Sequence, residues 1–194
     1  NQINPHFLFN TLNMIASTAQ IEDADTTEKM IHALSRLFRY NLKSTDSVMP
    51  LERELKVVQD YMYLQQMRFG QRIRYDTDCK PDTMEVLVPS FALQPLVENA
   101  IIHGISPKGQ GGRIHVRSWM EGRRLWISVA DTGRGMAQER LEEIRLALAR
   151  GEEKATGVGV GNIYRRVHGM YRDGEVFIYS SEGRGTVVQM AFTP

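Results

Sequence analysis

The periodicity of the apolar residues changes near Gly70, and this change constrains the fold more than any other feature of the chain. Before Gly70, apolar residues recur at three- and four-residue steps, the spacing of a helix that buries one face. They form two runs: Ile31, Leu34, Leu37, Phe38 and Leu42, then Leu51, Leu55, Val58, Met62 and Leu64. Residues 43–48 are a short polar connection, which favours antiparallel neighbours. Residues 1–69 are therefore predicted to contain a helical hairpin.

Residues that favour helix starts precede both runs. Asp25, with Glu28 three residues later, resembles a capping box. Pro50 suits the first turn of the second helix, and the acids Glu52 and Glu54 would face the positive end of the helix dipole.

After Gly70 the apolar residues alternate along predicted strands, with helical stretches between them. The strand residues are Ile114, Val116 and Met120, then Leu125, Ile127 and Val129, then Val176 and Ile178, then Val188, Met190 and Phe192. Helices are predicted over residues 90–103, 138–149 and 162–171. Residues 70–194 are thus expected to form a mixed sheet with helices on one face, a two-layer α/β sandwich.

Composition excludes several classes of protein. The single cysteine, Cys79, rules out an internal disulfide and a multi-cysteine metal site. With 24 basic and 23 acidic residues, the chain lacks the charge of a dedicated nucleic-acid surface. Residues 86–97 form an uncharged and largely apolar stretch that is shorter than the roughly 20 residues of a membrane span. Because the sequence starts at Asn1 without a methionine or a signal peptide, we expect a fragment of a longer protein.

The first segment whose residues suit binding or catalysis runs from Leu93 to Gly104. On a helix Asn99 and His103 share a face, with Glu98 beside them. An amide oxygen is a hard ligand, suited to a Mg²⁺ ion that bridges phosphates. A helix with a polar solvent-facing side is the alternative.

The second segment, Asp131-Thr132-Gly133-Arg134-Gly135, follows an apolar strand. A carboxylate there can accept a hydrogen bond from the amine of adenine, where guanine offers only an acceptor. Gly133 and Gly135 would let the backbone pass close to a flat ring. An ordinary turn is the alternative.

The third segment contains the alternating glycines Gly157, Gly159 and Gly161 before a helical stretch. We expect a pliable loop whose amides, with the helix N-terminus, hold phosphate oxygens. The alternative is a flexible connector. A dinucleotide fingerprint is not met, because Asn162 stands where its last glycine would be, and the P-loop signature is absent from the sequence.

The order and spacing of the three segments are more specific than any one of them. E-N-x-x-x-H, D-x-G-x-G about 30 residues later and G-x-G-x-G about 25 residues after that resemble the N, G1 and G2 boxes of the Bergerat-fold ATPases. The resemblance covers about residues 72–194. It implies ATP as ligand, adenine contact by Asp131, Mg²⁺ contact by Asn99 and a mobile lid that ends in the 157–161 glycines. Gly185-Thr186 resembles the Gly-Thr pair that lines the floor of this pocket.

The first residues select one family within that superfamily. The run Q-I-N-P-H-F-L-F-N-x-L-N around His6 resembles the H-box of the LytS/YesM-like sensor histidine kinases, as do the 61–69 and 93–104 segments. Neutral imidazole is a good nucleophile toward phosphorus. Pro5 either starts the helix that carries His6 or kinks a longer one. Asn10 either orients the ring or packs the helix.

This resemblance implies a two-component signalling core with two predicted parts, a dimerisation and phosphoacceptor region at 1–69 and an ATP-binding domain at 70–194. ATP phosphorylates His6, in cis or from the partner subunit of a homodimer, and the phosphoryl group passes to an aspartate of a response regulator. Asn99 and Mg²⁺ would carry catalysis, and Glu98 would polarise either His6 or a lytic water. Membrane anchoring would come from segments outside this chain, which would be a cytoplasmic domain.

Two rival functions remain at this stage. An ATPase or nucleotide-gated switch of the same fold would need the pocket but not His6. A non-enzymatic dimerisation and docking module would retain only a degenerate pocket.

Overall fold

The computed structural model describes residues 5–43, 47–150 and 158–194, except the side chains of His6, Lys43 and Val158. The chain begins with three helices, α1 (Pro5–Ile21), α2 (Asp25–Lys43) and α3 (Leu51–Phe69). Small residues at the α1–α2 contact let the two helices approach closely, because Ala16, Ala19 and Ala33 are all buried. The turn between these helices contains Asp23 in the left-handed conformation, with φ of 54°.

Helices α2 and α3 form the predicted hairpin. Arg36 of α2 donates two hydrogen bonds of 2.7 and 2.6 Å to Asp60 of α3, while Tyr40, one turn later, donates to Glu54, one to two turns earlier. The two pairs run in opposite directions along the helices, so the helices are antiparallel. As predicted, α2 begins at Asp25, and Pro50 immediately precedes α3.

A five-stranded sheet follows, with strand order β2-β4-β5-β7-β6. Its strands are β2 (Ile73–Cys79), β4 (Gly112–Glu121), β5 (Arg124–Asp131), β6 (Glu175–Ser181) and β7 (Gly185–Phe192). Only the β2–β4 pair is parallel. Two short strands, β1 (Val48–Pro50) and β3 (Leu87–Pro89), pair separately. Strands β1, β2 and β3 were not predicted from the sequence.

Helices cover one face of the sheet. They are α4 (Gln94–Asn99), continued by a π-helical turn over Ala100–Ile105, α5 (Gln138–Ala149) and α6 (Val158–Met170). The covered face carries the fully buried Ile114, Val116, Leu125 and Ile127. On the open face Trp119, Trp126 and Phe177 stack in a row, with neighbouring ring centroids 5.8 and 5.9 Å apart. The predicted two-layer α/β sandwich is therefore confirmed.

The apolar core is continuous across residue 70. Leu51, Val58 and Met62 of α3 lie in the same buried cluster as Ile73 and Leu93. The division into parts at 1–69 and 70–194 stays a prediction, and α3 shares its core with the sandwich. No helix in the described ranges combines the length and apolarity needed to cross a bilayer.

Two helices begin at other residues than predicted. The helix expected from residue 90 begins at Gln94, because Pro95 occupies its first turn and the preceding residues have irregular backbone. The helix expected from Asn162 begins at Val158.

Candidate functional site

A cavity of about 430 Å³ lies between the helices and the covered face of the sheet. It is lined by most of the predicted binding residues, namely Asn99, His103, Asp131, Gly135, Gly159 and Thr186. Gly133 does not line the cavity, but its N–H donates a hydrogen bond to Asp131, which does. The volume is in the range of pockets that hold small molecules. Three segments separated in sequence thus meet at one site.

Asp131 is the last residue of β5, so the strand delivers its carboxylate to the cavity. The Gly133 N–H donates to Asp131 Oδ1 at 2.7 Å. Burial raises the pKa of Asp131 above its ordinary value, while hydrogen bonds from the Gly133 and Thr186 backbones oppose that rise. The Gly133 N–H thus holds one side of the carboxylate in place, and the carboxylate offers a hydrogen-bond acceptor to the cavity.

Glycine at position 133 allows the turn after Asp131 to lie directly against the π-helical turn. A Cβ at Gly133 would lie 2.3 Å from the carbonyl carbon of Gly104, closer than such atoms approach. The Arg134 N–H donates to the Gly104 carbonyl at 2.9 Å, which joins the two segments through their backbones. Gly133 is therefore required by close approach, since its backbone has no unusual φ.

We predict that Gly133→Ala separates these segments, lowering the free energy of unfolding by about 1–3 kcal/mol and weakening nucleotide binding. Gly169→Ala is the matched control, because a Cβ there meets no atom within 4 Å and Gly169 lies in helix α6. That control should keep or slightly raise stability. Chemical denaturation and nucleotide titration check both variants. Equal stability of Gly133→Ala and wild type would contradict the close-approach argument.

Asn99 touches the start of α6. A Cβ at Gly159 would lie 2.3 Å from Asn99 Nδ2 and 3.2 Å from the Pro95 carbonyl oxygen. Gly159 and Gly161 lie in the first turns of α6, so the loop predicted for them is helical from Val158 onward. The absence of a side chain at Gly159 lets that turn pack against α4. Gly157 lies outside the described residues.

The first turn of α6 stands where a loop was predicted to supply donors. The first N–H groups of a helix have no partner within the helix, and they carry the positive end of its dipole. Because Gly159 lines the cavity, these groups lie at its edge.

His103 and Glu98 differ in their relation to the cavity. His103 lines it, and its carbonyl accepts a 3.1 Å hydrogen bond from Arg134 Nε. Glu98 is absent from the lining; its Oε1 accepts a 2.8 Å hydrogen bond from Gln94, one turn earlier on α4. Glu98 also lies near Tyr61, where burial and then the negative charge of Glu98 raise the pKa of Tyr61 to about 12.

Sequence reasoning missed the apolar walls of the cavity. They include Met136 after the second glycine, Ile144 on α5, and Ile178 and Val188 on the sheet. Arg140 also lines the cavity, one turn before Ile144. A signal was present, because Arg140 and Ile144 are four apart on a predicted helix and share a face.

The donor set fits a hydrated cation on a phosphate better than a protein-chelated metal. Across residues 5–43, 47–150 and 158–194, no group of three or more His, Cys, Asp or Glu side chains could hold a metal ion. Asn99 supplies an amide oxygen at the cavity edge. Mg²⁺ usually keeps several waters and takes few protein ligands when it binds with a nucleotide, so this site is compatible with it.

Two family models match the chain. Residues 1–73 match the family described as Histidine kinase, and residues 89–194 match the family described as Histidine kinase-, DNA gyrase B-, and HSP90-like ATPase.

Curated relatives are similar over nearly the whole chain. Sensor histidine kinase YpdA of Escherichia coli (strain K12) is 36% identical over 177 residues, covering 90% of this chain and 30% of that protein. Sensor protein LytS of Staphylococcus saprophyticus is 34% identical over 188 residues, covering 96% and 32%. The chain thus spans about a third of the length of these relatives.

Solved structures share the fold at low identity. The histidine kinase domain of the Erythrobacter litoralis EL346 blue-light activated histidine kinase superimposes with a TM-score of 0.53 at 20% identity, covering 94% of this chain and 85% of that one. The catalytic domain of histidine kinase ThkA gives 0.52 at 20% identity, covering 74% and 89%. The chain therefore belongs to the histidine kinase-, DNA gyrase B- and HSP90-like ATPases and, within that family, to the LytS-like sensor histidine kinases.

Proposed function

We propose that this chain is the phosphotransfer core of a two-component sensor kinase, which binds ATP in the cavity and transfers the γ-phosphoryl group to His6. The observation that carries the proposal is the meeting of Asp131, Asn99 and the start of α6 around one cavity. The similarity to sensor histidine kinases over residues 1–73 supports His6 as the acceptor.

Asp131 is the proposed recognition group for adenine. Its carboxylate accepts the hydrogen bond of the adenine amine while the Gly133 amide holds it from behind. The apolar walls formed by Met136, Ile144 and Val188 contact the faces of the ring. Guanine presents an oxygen where adenine has its amine, so two acceptors would meet and ATP is preferred.

Asn99 and the first turn of α6 are the proposed phosphate end of the site. The N–H groups of that turn, including that of Gly159, bind phosphate oxygens. Asn99 would hold Mg²⁺, which would neutralise charge on the phosphates. Thr186 on the floor and His103 at the rim complete the contacts.

His6 lies in the first turn of α1. In the proposed reaction a ring nitrogen forms a bond to the γ-phosphorus as the bond to the bridging oxygen breaks, and ADP leaves with that electron pair. The phosphoryl group then passes from His6 to an aspartate of a response regulator. The Glu98 carboxylate is proposed to polarise the attacking group, although its contact with Gln94 would first have to open.

The decisive experiment is incubation of the full-length protein with γ-labelled ATP. Label on the protein that is stable to base and lost in acid supports histidine transfer. Release of inorganic phosphate without a phosphoprotein would instead support an ATPase or nucleotide-gated switch of the same fold.

We predict that ATP affinity falls in acid at a higher pH than an ordinary aspartate would produce. Burial raises the pKa of Asp131, and the ionised carboxylate is a stronger acceptor for the adenine amine than the protonated group. Binding therefore favours the deprotonated form, and affinity declines as the pH falls through that raised pKa. Calorimetric titration at several pH values measures the decline.

Asp131→Asn serves as the control for this pH dependence, because titration of the nucleotide itself affects both proteins equally. The ratio of wild-type to variant affinity should fall toward acid pH. A constant ratio would contradict the assignment.

The exposed apolar residues of α1 support a homodimer through this helix. Phe7 is 68% exposed, Met14 64% and Ile21 83%, which is unusual for large apolar side chains of a monomer. We propose that a second copy covers them. Membrane attachment would come from segments outside this chain and would place it on the cytoplasmic side.

A further inference from the structure

Glu54 is a fully buried acidic residue that the proposed reaction does not use. It lies in the first turn of α3 with 0% of its surface exposed. A buried carboxylate is costly unless hydrogen-bond donors surround it. Here the donors are the Tyr40 hydroxyl and the Phe91 N–H on Oε1, the latter at 3.0 Å, and the Leu93 N–H on Oε2, also at 3.0 Å. Burial raises the pKa of Glu54, and these hydrogen bonds oppose the rise.

Two of these donors, the N–H groups of Phe91 and Leu93, belong to the segment that leads into the nucleotide site. Residues 90–93, called the 90–93 segment below, immediately precede α4, and α4 ends at Asn99. Phe91 has a φ of 59°, a left-handed conformation that is unfavourable for an aromatic residue. Tyr40 contributes a second acceptor, 2.6 Å from the Phe91 N–H, and its ring lies 4.5 Å from the Phe91 ring. The strained backbone is thus held by side chains of α2 and α3.

Helix α6 holds the same segment from another side. The Arg166 guanidinium lies 5.4 Å from the centre of the Phe91 ring and donates a hydrogen bond to the Ser90 carbonyl. The first turn of α6 is the one that touches Asn99 through Gly159. Both sides of the predicted phosphate end, α4 and α6, are therefore anchored on the 90–93 segment.

We propose that Tyr40 and Glu54 are positioning residues, which fix the 90–93 segment and thereby set Asn99 against the first turn of α6. Tyr40 belongs to α2, which packs on α1, the helix that carries His6. A displacement of α2 therefore changes nucleotide affinity through this contact. The inference deepens the proposed function and depends on it only for the identity of the nucleotide.

The test compares Tyr40→Phe and Glu54→Gln with Arg36→Gln in the full-length protein. Arg36→Gln removes a different link between α2 and α3, the ion pair with Asp60, without touching the 90–93 segment. The measurement is the Kd of a non-hydrolysable ATP analogue with Mg²⁺, together with the melting temperature. We expect weakening of about fivefold for Tyr40→Phe, the equivalent of one hydrogen bond, and of about tenfold or more for Glu54→Gln. The Kd of Arg36→Gln should stay within about twofold of wild type, while its loss of thermal stability is similar to that of Tyr40→Phe.

Two further readouts separate positioning from a general loss of packing. The amides of Phe91 and Leu93 should exchange with deuterium faster in both variants than in Arg36→Gln. The effect of Tyr40→Phe on Kd should also shrink in the Glu54→Gln background, because both act on the same segment.

The proposal is overturned if folded Tyr40→Phe binds the analogue as tightly as wild type, and this variant decides the matter if Glu54→Gln does not fold. Equal weakening by Arg36→Gln would also overturn it. A wild-type protein that binds the analogue without forming phosphohistidine would contradict the proposed function and leave this comparison intact.

Discussion

Replacing His6 by glutamine is expected to reduce acid-labile phosphorylation to background while nucleotide binding stays unchanged. Glutamine keeps a polar side chain of similar reach, but its amide nitrogen is not nucleophilic, so the bond to phosphorus cannot form. The cavity lies among the sheet, α4, α5 and α6, and none of the α1 side chains that the structure describes is among its lining residues. The measurement is protein-bound label from γ-labelled ATP, with a parallel titration of a non-hydrolysable analogue.

His32→Gln is the matched control for this experiment. His32 lies on α2, where its Nε2 is 3.6 Å from a Glu28 carboxylate oxygen one turn away. The same chemical change there should leave the label at wild-type level. Label that persists in His6→Gln would exclude His6 as the acceptor, and its loss in both variants would indicate general damage to the helical part.

Replacing Asp131 by asparagine should lower ATP affinity about 10- to 100-fold, the equivalent of a hydrogen bond to a charged group. The Gly133 N–H already occupies Asp131 Oδ1. An asparagine would keep its oxygen on that donor and direct its NH₂ toward the adenine amine, so that two donors would meet. The preference for ATP over GTP should shrink at the same time.

Asp173→Asn is the control at a comparable hydrogen-bonded aspartate. Asp173 accepts hydrogen bonds from the Thr193 N–H and hydroxyl near the chain end, and it does not line the cavity. That substitution should cost some stability and leave both nucleotide affinities unchanged. Unaltered ATP affinity in Asp131→Asn would remove Asp131 from adenine recognition.

Local pattern was sufficient to predict much of the fold. Alternation identified β4, β5, β6 and β7, because apolar residues recur at every second position along the face of each strand that the helices cover. Helix α5 was predicted with the bounds it has, since its apolar stripe is uninterrupted. The short strands β1 and β3 were missed, because three residues of each carry too little periodicity to separate a strand from a loop.

The site was less predictable where it depends on contacts between distant segments. Alternating glycines indicated a loop at 157–161, yet the helix begins at Val158 because packing against Asn99 and Pro95 outweighs the low helix propensity of glycine. From the sequence, Glu54 was interpreted only as an acid in the first turn of a helix, where it would face the positive end of the helix dipole. Its burial arises from backbone donors 37 and 39 residues away, which no local pattern encodes.

The row of aromatic rings on the open face of the sheet determines what optical spectroscopy would report for this protein. Both tryptophans of the chain lie there, Trp119 on β4 and Trp126 on β5, with ring planes only 7° apart. Two indoles that close and that parallel share their electronic excitation, which gives a paired circular-dichroism band and a common emission. That signal would follow the pairing of β4 with β5 as the sheet melts. A nucleotide that binds on the opposite face of the sheet would hardly change this signal. Nucleotide binding should therefore be measured with a labelled nucleotide or by calorimetry.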